Sequence, residues 1–111
     1  MLVSCSSKDD EGGYPSINGV WNVVANGRRY QMEITKEESR LSGYIYDVAA
    51  EETFELMRSS AMYSDQVTIN FMRFDELFEL LGTVKFNFQT IEGKGRIVNS
   101  EDIKFNWSAS R

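Results

Sequence analysis

Ile17-Asn18-Gly19-Val20-Trp21-Asn22-Val23-Val24 reads as a first β-strand, entered through a glycine and carrying a large indole on one face. Trp21, Val23 and Ala25 fall on one side, Val20, Asn22 and Val24 on the other, the period of two that a half-buried strand shows. Asn26-Gly27 comes directly after, and because both residues accept positive φ the pair favours the type I′ turn of a tight hairpin. A second strand then alternates Tyr30, Met32 and Ile34 with Gln31, Glu33 and Thr35, and Lys36-Glu37-Glu38-Ser39 makes a charged turn.

The same period runs through most of the remaining chain. Leu41-Ser42-Gly43-Tyr44-Ile45-Tyr46 is a third strand, whose glycine lets a neighbouring backbone approach or the strand bend. Ala49-Ala50-Glu51-Glu52 could open a helix, yet Phe54, Leu56 and Arg58 alternate, which favours a strand over about 53–59. Ser64-Asp65 turns, and Val67, Ile69 and Phe71 alternate with Thr68, Asn70 and Met72. Phe74, Leu77, Phe78 and Leu81 keep helical spacing, so either a short helix near 75–81, capped by Asp75, or a bulged strand fits between Phe74 and Gly82. Val84, Phe86 and Phe88 alternate with Lys85 and Asn87, Glu92-Gly93 turns, and Arg96 to Val98 is a short strand. The last strand is Ile103, Phe105, Trp107 and Ala109 against Lys104, Asn106 and Ser108.

About eight short strands joined by tight turns describe an all-β, antiparallel up-and-down meander, and closing it into a small barrel removes both edges. Two packed sheets would show similar spacing. An open sandwich, however, needs charged or interrupted edge strands, and Val20 to Val24 is neither. The only proline, Pro15, lies ahead of the strands, so nothing in 17–111 is barred from a ladder. Trp21, Tyr30, Phe54, Phe71, Phe86, Phe88, Phe105 and Trp107 sit where alternation would bury them, with Trp21 on the first strand and Trp107 on the last expected to lie near each other at the seam.

Composition narrows the function classes. With 41% hydrophobic and 13% aromatic residues the chain is too apolar for disorder. Its net charge of −5, with no basic cluster beyond Arg28-Arg29, argues against nucleic acid as a partner. It contains no histidine, which removes the commonest general base and the commonest metal ligand. The acidic clusters Glu51-Glu52 and Asp75-Glu76-Glu79 lack the spacing of a calcium loop, and no serine has an activating base within a recognisable motif. No catalytic residue, metal site or cofactor is therefore expected. Tyr44 and Tyr46 share a face of the third strand and are the candidate ligand contacts, as wall or mouth residues where an amphipathic ring meets apolar and wet surroundings.

Residues 1–16 differ from the body. Leu2-Val3-Ser4-Cys5 looks like the end of a bacterial lipoprotein signal, with Cys5 the residue that would be acylated. Ser6 to Gly13 has the polar, glycine-containing composition of a spacer, and Lys8-Asp9-Asp10-Glu11 resembles the acidic export signal behind the lipidated cysteine of Bacteroidetes surface lipoproteins. Residues 1–16 are thus expected to be a lipobox remnant and tether, and 17–111 the barrel domain.

Gly19-Val20-Trp21 on a first strand, ahead of such a meander, resembles the calycin group, and within it the small lipocalin-like lipoproteins of Bacteroidetes. The resemblance implies that Trp21 closes one end of the barrel beneath a basic residue near the last strand, for which Arg111 is the candidate. Avidin-type barrels also open with Gly-x-Trp and carry a late tryptophan, which Trp107 resembles, but their biotin-contacting polar set has no match here. The expected function is a non-enzymatic binding or interaction module of the envelope or cell surface. It would be anchored in the outer membrane through Cys5 and would hold a small apolar ligand or dock an envelope protein. The alternative is a protease inhibitor on an avidin-like barrel, using residues 6–16 as the inserted strand.

Overall fold

A computed structural model describes residues 16–98 and 103–111, and among them every regular element is a strand. In chain order these are β1 (Gly19–Ala25), β2 (Arg28–Glu37), β3 (Arg40–Asp47), β4 (Glu52–Glu55), β5 (Ala61–Tyr63), β6 (Gln66–Arg73), β7 (Glu76–Lys85), β8 (Thr90–Val98) and β9 (Ile103–Ser110). All pairings are antiparallel. β2 pairs with both β1 and β3, and β1 pairs with β9, so eight strands close into a barrel with β4 as an additional strand on β3. Closure brings Asn22–Ala25 against Trp107–Ser110, the seam expected from the unprotected first strand. Trp107 faces Ala25, two inward positions beyond Trp21, so the two indoles share the seam at different levels and are not neighbours.

The barrel has two ends. Ser16–Asn18, the turns at 38–39, 64–65 and 86–89, and Arg111 form the end where the chain enters; Asn26-Gly27 and the turns at 48–51 and 74–75 form the opposite, hairpin end. The first hairpin has the backbone its sequence requires, with φ of 53° at Asn26 and 75° at Gly27.

Inward positions fill the lumen. Trp21, Met32, Ile45, Ile69, Phe71, Leu80 and Ile91 are all fully buried, and Tyr30, Phe71, Phe78 and Phe105 form a chain of ring contacts with centroids 5.1–6.1 Å apart. At about 1.5–3 kcal/mol per fully buried large side chain, this layer and its neighbours supply a core without any ligand.

Four expectations change. The stretch near 75–81 is strand β7, not a helix: Phe78 and Leu80 point inward while Leu77 and Leu81 lie on the outer wall, and apolar residues on both faces of a strand mimic helical spacing. β7 stops at Lys85, because Phe86, Asn87 and Phe88 all adopt left-handed conformations (φ 55°, 57° and 66°) that end the strand; Phe86 is consequently exposed, and Phe88 only packs against the core. Glu92-Gly93 is no turn but the middle of β8. A Cβ at Gly93 would stand 1.8 Å from the Leu81 carbonyl oxygen, so the glycine answers a close strand approach. The strand expected over 53–59 is shorter, Glu52–Glu55, and the Leu56–Phe71 bridge links its end to β6.

Between β4 and β5 the chain leaves the ladder at Met57–Ser60, and a buried side chain fills the gap. The Ser60 hydroxyl accepts from the Asn70 N–H (2.9 Å) and donates to the Asn70 carbonyl (3.3 Å), taking the place of a strand partner.

Candidate functional site

Tyr44 and Tyr46 lie on the outer wall of β3, not in the lumen. The register Val20–Glu33–Tyr44 places Tyr44 in a row with Val20, and with Gln31 these residues line a shallow depression of about 160 Å³. A larger open groove, about 660 Å³, crosses the outside of β7–β9, where Leu81 is bordered by Lys94, Lys104 and the Arg96–Glu79 ion pair (2.7 Å). The wall over β2–β4 and its turns is acidic, with Glu33, Glu37, Glu38, Glu51, Glu52 and Glu55 outward against Arg29, Lys36 and Arg40.

The hairpin end is closed by charge. Asp47, Arg28 and Arg73 occupy the last inward positions of β3, β2 and β6. The Asp47 carboxylate is fully buried. It accepts from Arg28 Nε (3.2 Å) and Nη2 (3.1 Å), from Arg73 Nε (2.9 Å) and from the Ala50 N–H (3.1 Å). Burial alone would push its pKa up, but the bonds from Arg28, Ala50 and Arg73 outweigh this and hold it below the ordinary carboxylate range. The Tyr30 hydroxyl is buried beside this cluster without a hydrogen-bond partner among the described residues, and burial raises its pKa. Nothing in the sequence singles out these residues as a set. The available signal is that two inward-facing series, Leu41-Gly43-Ile45-Asp47 and Val67-Ile69-Phe71-Arg73, end on opposite charges.

The entry end is closed by Arg111. Its guanidinium lies 4.1 Å from the Trp21 ring centroid, and it donates to the carbonyls of Phe88 (Nε, 2.9 Å), Asn18 (Nη1, 2.7 Å) and Ser16. Trp21 Nε1–H donates to the Ile17 carbonyl (2.9 Å), so indole and guanidinium together pin the entering chain. The basic partner of Trp21 is thus Arg111.

No protein-family model matches the chain, and no curated protein is similar enough to count as a relative. Function therefore has to be read from geometry.

The Asp47 cluster does not resemble an acid–base pair, because its carboxylate is saturated by donors and screened from solvent. Among the described residues no group of three or more His, Cys, Asp or Glu side chains is placed to hold a metal, and no helix is long and apolar enough to cross a membrane. Trp21 and Trp107 are both core residues, and Trp107 Nε1–H donates to the Leu81 carbonyl (3.0 Å). Cys5, Leu2-Val3-Ser4 and the spacer lie outside the described residues.

Proposed function

We propose that this protein is a lipid-anchored, non-enzymatic module of the bacterial envelope or cell surface, of the small lipocalin-like lipoprotein kind, that works by docking through its outer wall. One observation carries the choice of wall over lumen: the interior is filled by its own side chains, with Trp21, Met32, Ile45, Ile69 and Leu80 fully buried. A drug-sized ligand needs a cavity of roughly 300 Å³ or more, and a chain that spends its interior on core makes contacts outside. The grooved face of β7–β9, with Leu81 bordered by cations, and the acidic face carrying Tyr44 offer two surfaces of different chemistry. The lipobox-like Leu2-Val3-Ser4-Cys5 and the spacer behind it support the anchor. No particular contact among the described residues favours the protease-inhibitor alternative.

Two measurements test this. Expressed with its full upstream signal and a labelled fatty acid, the protein is expected to carry label and fractionate with membranes, and Cys5→Ala to lose both; an unlabelled, soluble mature protein would remove the anchor. Titration with a medium-chain fatty acid is expected to leave the methyl resonances of Ile45, Ile69 and Leu80 unmoved. Saturable shifts at those three methyls would place a ligand in the lumen and overturn the docking role.

A further inference from the structure

The two most exposed large apolar or aromatic side chains among the described residues are Phe86 (72%) and Tyr63 (67%), and both stand at the entry end. Their turns are neighbours, joined by the bond from the Val84 N–H to the Asp65 carbonyl (2.8 Å), and Tyr63 pairs with Gln66, which pairs with Thr83. Phe86 is the harder residue to explain. Its backbone is left-handed (φ 55°), a conformation that crowds the Cβ of an L-residue and that asparagine or glycine would tolerate better. Its ring has no ring or cation partner among the described residues.

Phe74 provides the contrast. It occupies the equivalent kind of turn at the hairpin end, with a similar φ of 56° and 57% exposure. There, however, its ring packs edge-on against Phe54 (5.5 Å) and lies beneath the Arg73 guanidinium (5.0 Å). Phe74 has a structural reason to be aromatic. Phe86 lacks one within the fold.

The chain preceding the barrel supplies a reason. It enters at this same end, where Arg111 holds Ser16 and Asn18. Residues 6–15 separate Cys5 from Ser16, so fully extended chain places the cysteine at most about 36–40 Å from the entry end. Exposed charge around these turns is balanced, Lys36, Arg40, Lys85 and Arg111 against Glu37, Glu38, Asp65 and Glu92, so no net charge drives this end away from a bilayer. Aromatic rings that must meet apolar and wet surroundings together are favoured at the headgroup level.

We propose that the entry end of the barrel is a membrane-contact surface, with Phe86 and Tyr63 seated in the interfacial layer of the bilayer. This orients the hairpin end and most of the outer wall away from the lipid. It rests on the lipid anchor proposed above, and it is tested without relying on cellular acylation. The lone Cys5 allows the purified protein to be coupled to phosphatidylcholine vesicles carrying a maleimide headgroup lipid. Single Phe86→Trp, Tyr63→Trp and Phe74→Trp proteins are compared on vesicles containing brominated lipid, with the parent protein giving the buried Trp21 and Trp107 background.

Phe86→Trp and Tyr63→Trp are expected to lose about half of their added emission, most strongly with bromine near the headgroup, as suits rings about 5–10 Å into the boundary. Phe74→Trp is expected to be unquenched. All three positions are exposed, so unchanged melting temperatures check that each variant is folded. If either entry-end reporter is quenched no more than Phe74→Trp, the proposal is overturned. Fatty-acid labelling reports on the anchor separately, so a failed anchor and a failed contact surface give different results.

Discussion

Replacing Trp21 with alanine is expected to cost about 3–5 kcal/mol, the range for deleting a large buried aromatic, and so to take most of the stability of a domain this small. Trp21 is fully buried and does three things at once. It fills the barrel at the entry end, it donates to the Ile17 carbonyl, and it carries the Arg111 guanidinium on its ring face. Its loss opens a cavity and leaves Arg111 over empty space. Trp21→Phe separates these contributions, since it keeps much of the apolar volume and loses the indole N–H. It is expected to fall between wild type and alanine in urea unfolding. A Trp21→Ala protein with an unchanged melting temperature would remove Trp21 from the core.

The second large effect is at the other end. Asp47→Ala is expected to destabilise by about 3–5 kcal/mol, because breaking a buried ion pair leaves the remaining charge without compensation. Arg73 is the residue stranded, since its side chain is only 15% exposed and its Nε has Asp47 as acceptor. Arg28 is nearer solvent and suffers less. The same cluster sets an acid dependence. The folded carboxyl is held below its unfolded value, so its contribution is fully present above about pH 4 and fades as pH falls through the lower, folded pKa. Urea midpoints measured from neutral to strongly acid pH should therefore fall steeply at the acid end in wild type. Asp47→Asn should start lower and lose less there. Parallel profiles for the two proteins would show that Asp47 is not the titrating group.

Much of the barrel was legible because period-two alternation and tight turns are local signals. Trp21, Val23 and Ala25, then Tyr30, Met32 and Ile34, face the core as their spacing requires, and Asn26-Gly27 turns between them. The failures have a common cause. Around 74–93 the decisive facts are contacts made by distant segments. Leu77 and Leu81 are apolar on an outer wall, Phe86 and Phe88 do not advertise the left-handed backbone they adopt on either side of Asn87, and Gly93 answers the approach of Leu81 from another strand. The Asp47–Arg28–Arg73 cluster was illegible for the same reason, since its members are brought together only when three strands end at one level. Tyr44 and Tyr46 share one face of β3, as their spacing requires; that this face is the outside of a filled barrel depends on how all the other side chains pack.

The seam between β1 and β9 also bears on how the molecule is made. Asn22 finds its partner in Ser110, and the entering chain is pinned by Arg111, so β1, which precedes the other described strands in the chain, is among the last of them to be satisfied. Until residues 107–111 arrive, β1 has only β2 beside it and its other ladder edge is open. Pairings this distant in sequence slow folding, because loop-closure entropy must be met before the contact repays it. The step that closes the barrel therefore waits until β1 and β9 are both present, and it joins the two described strands that lie farthest apart in the sequence.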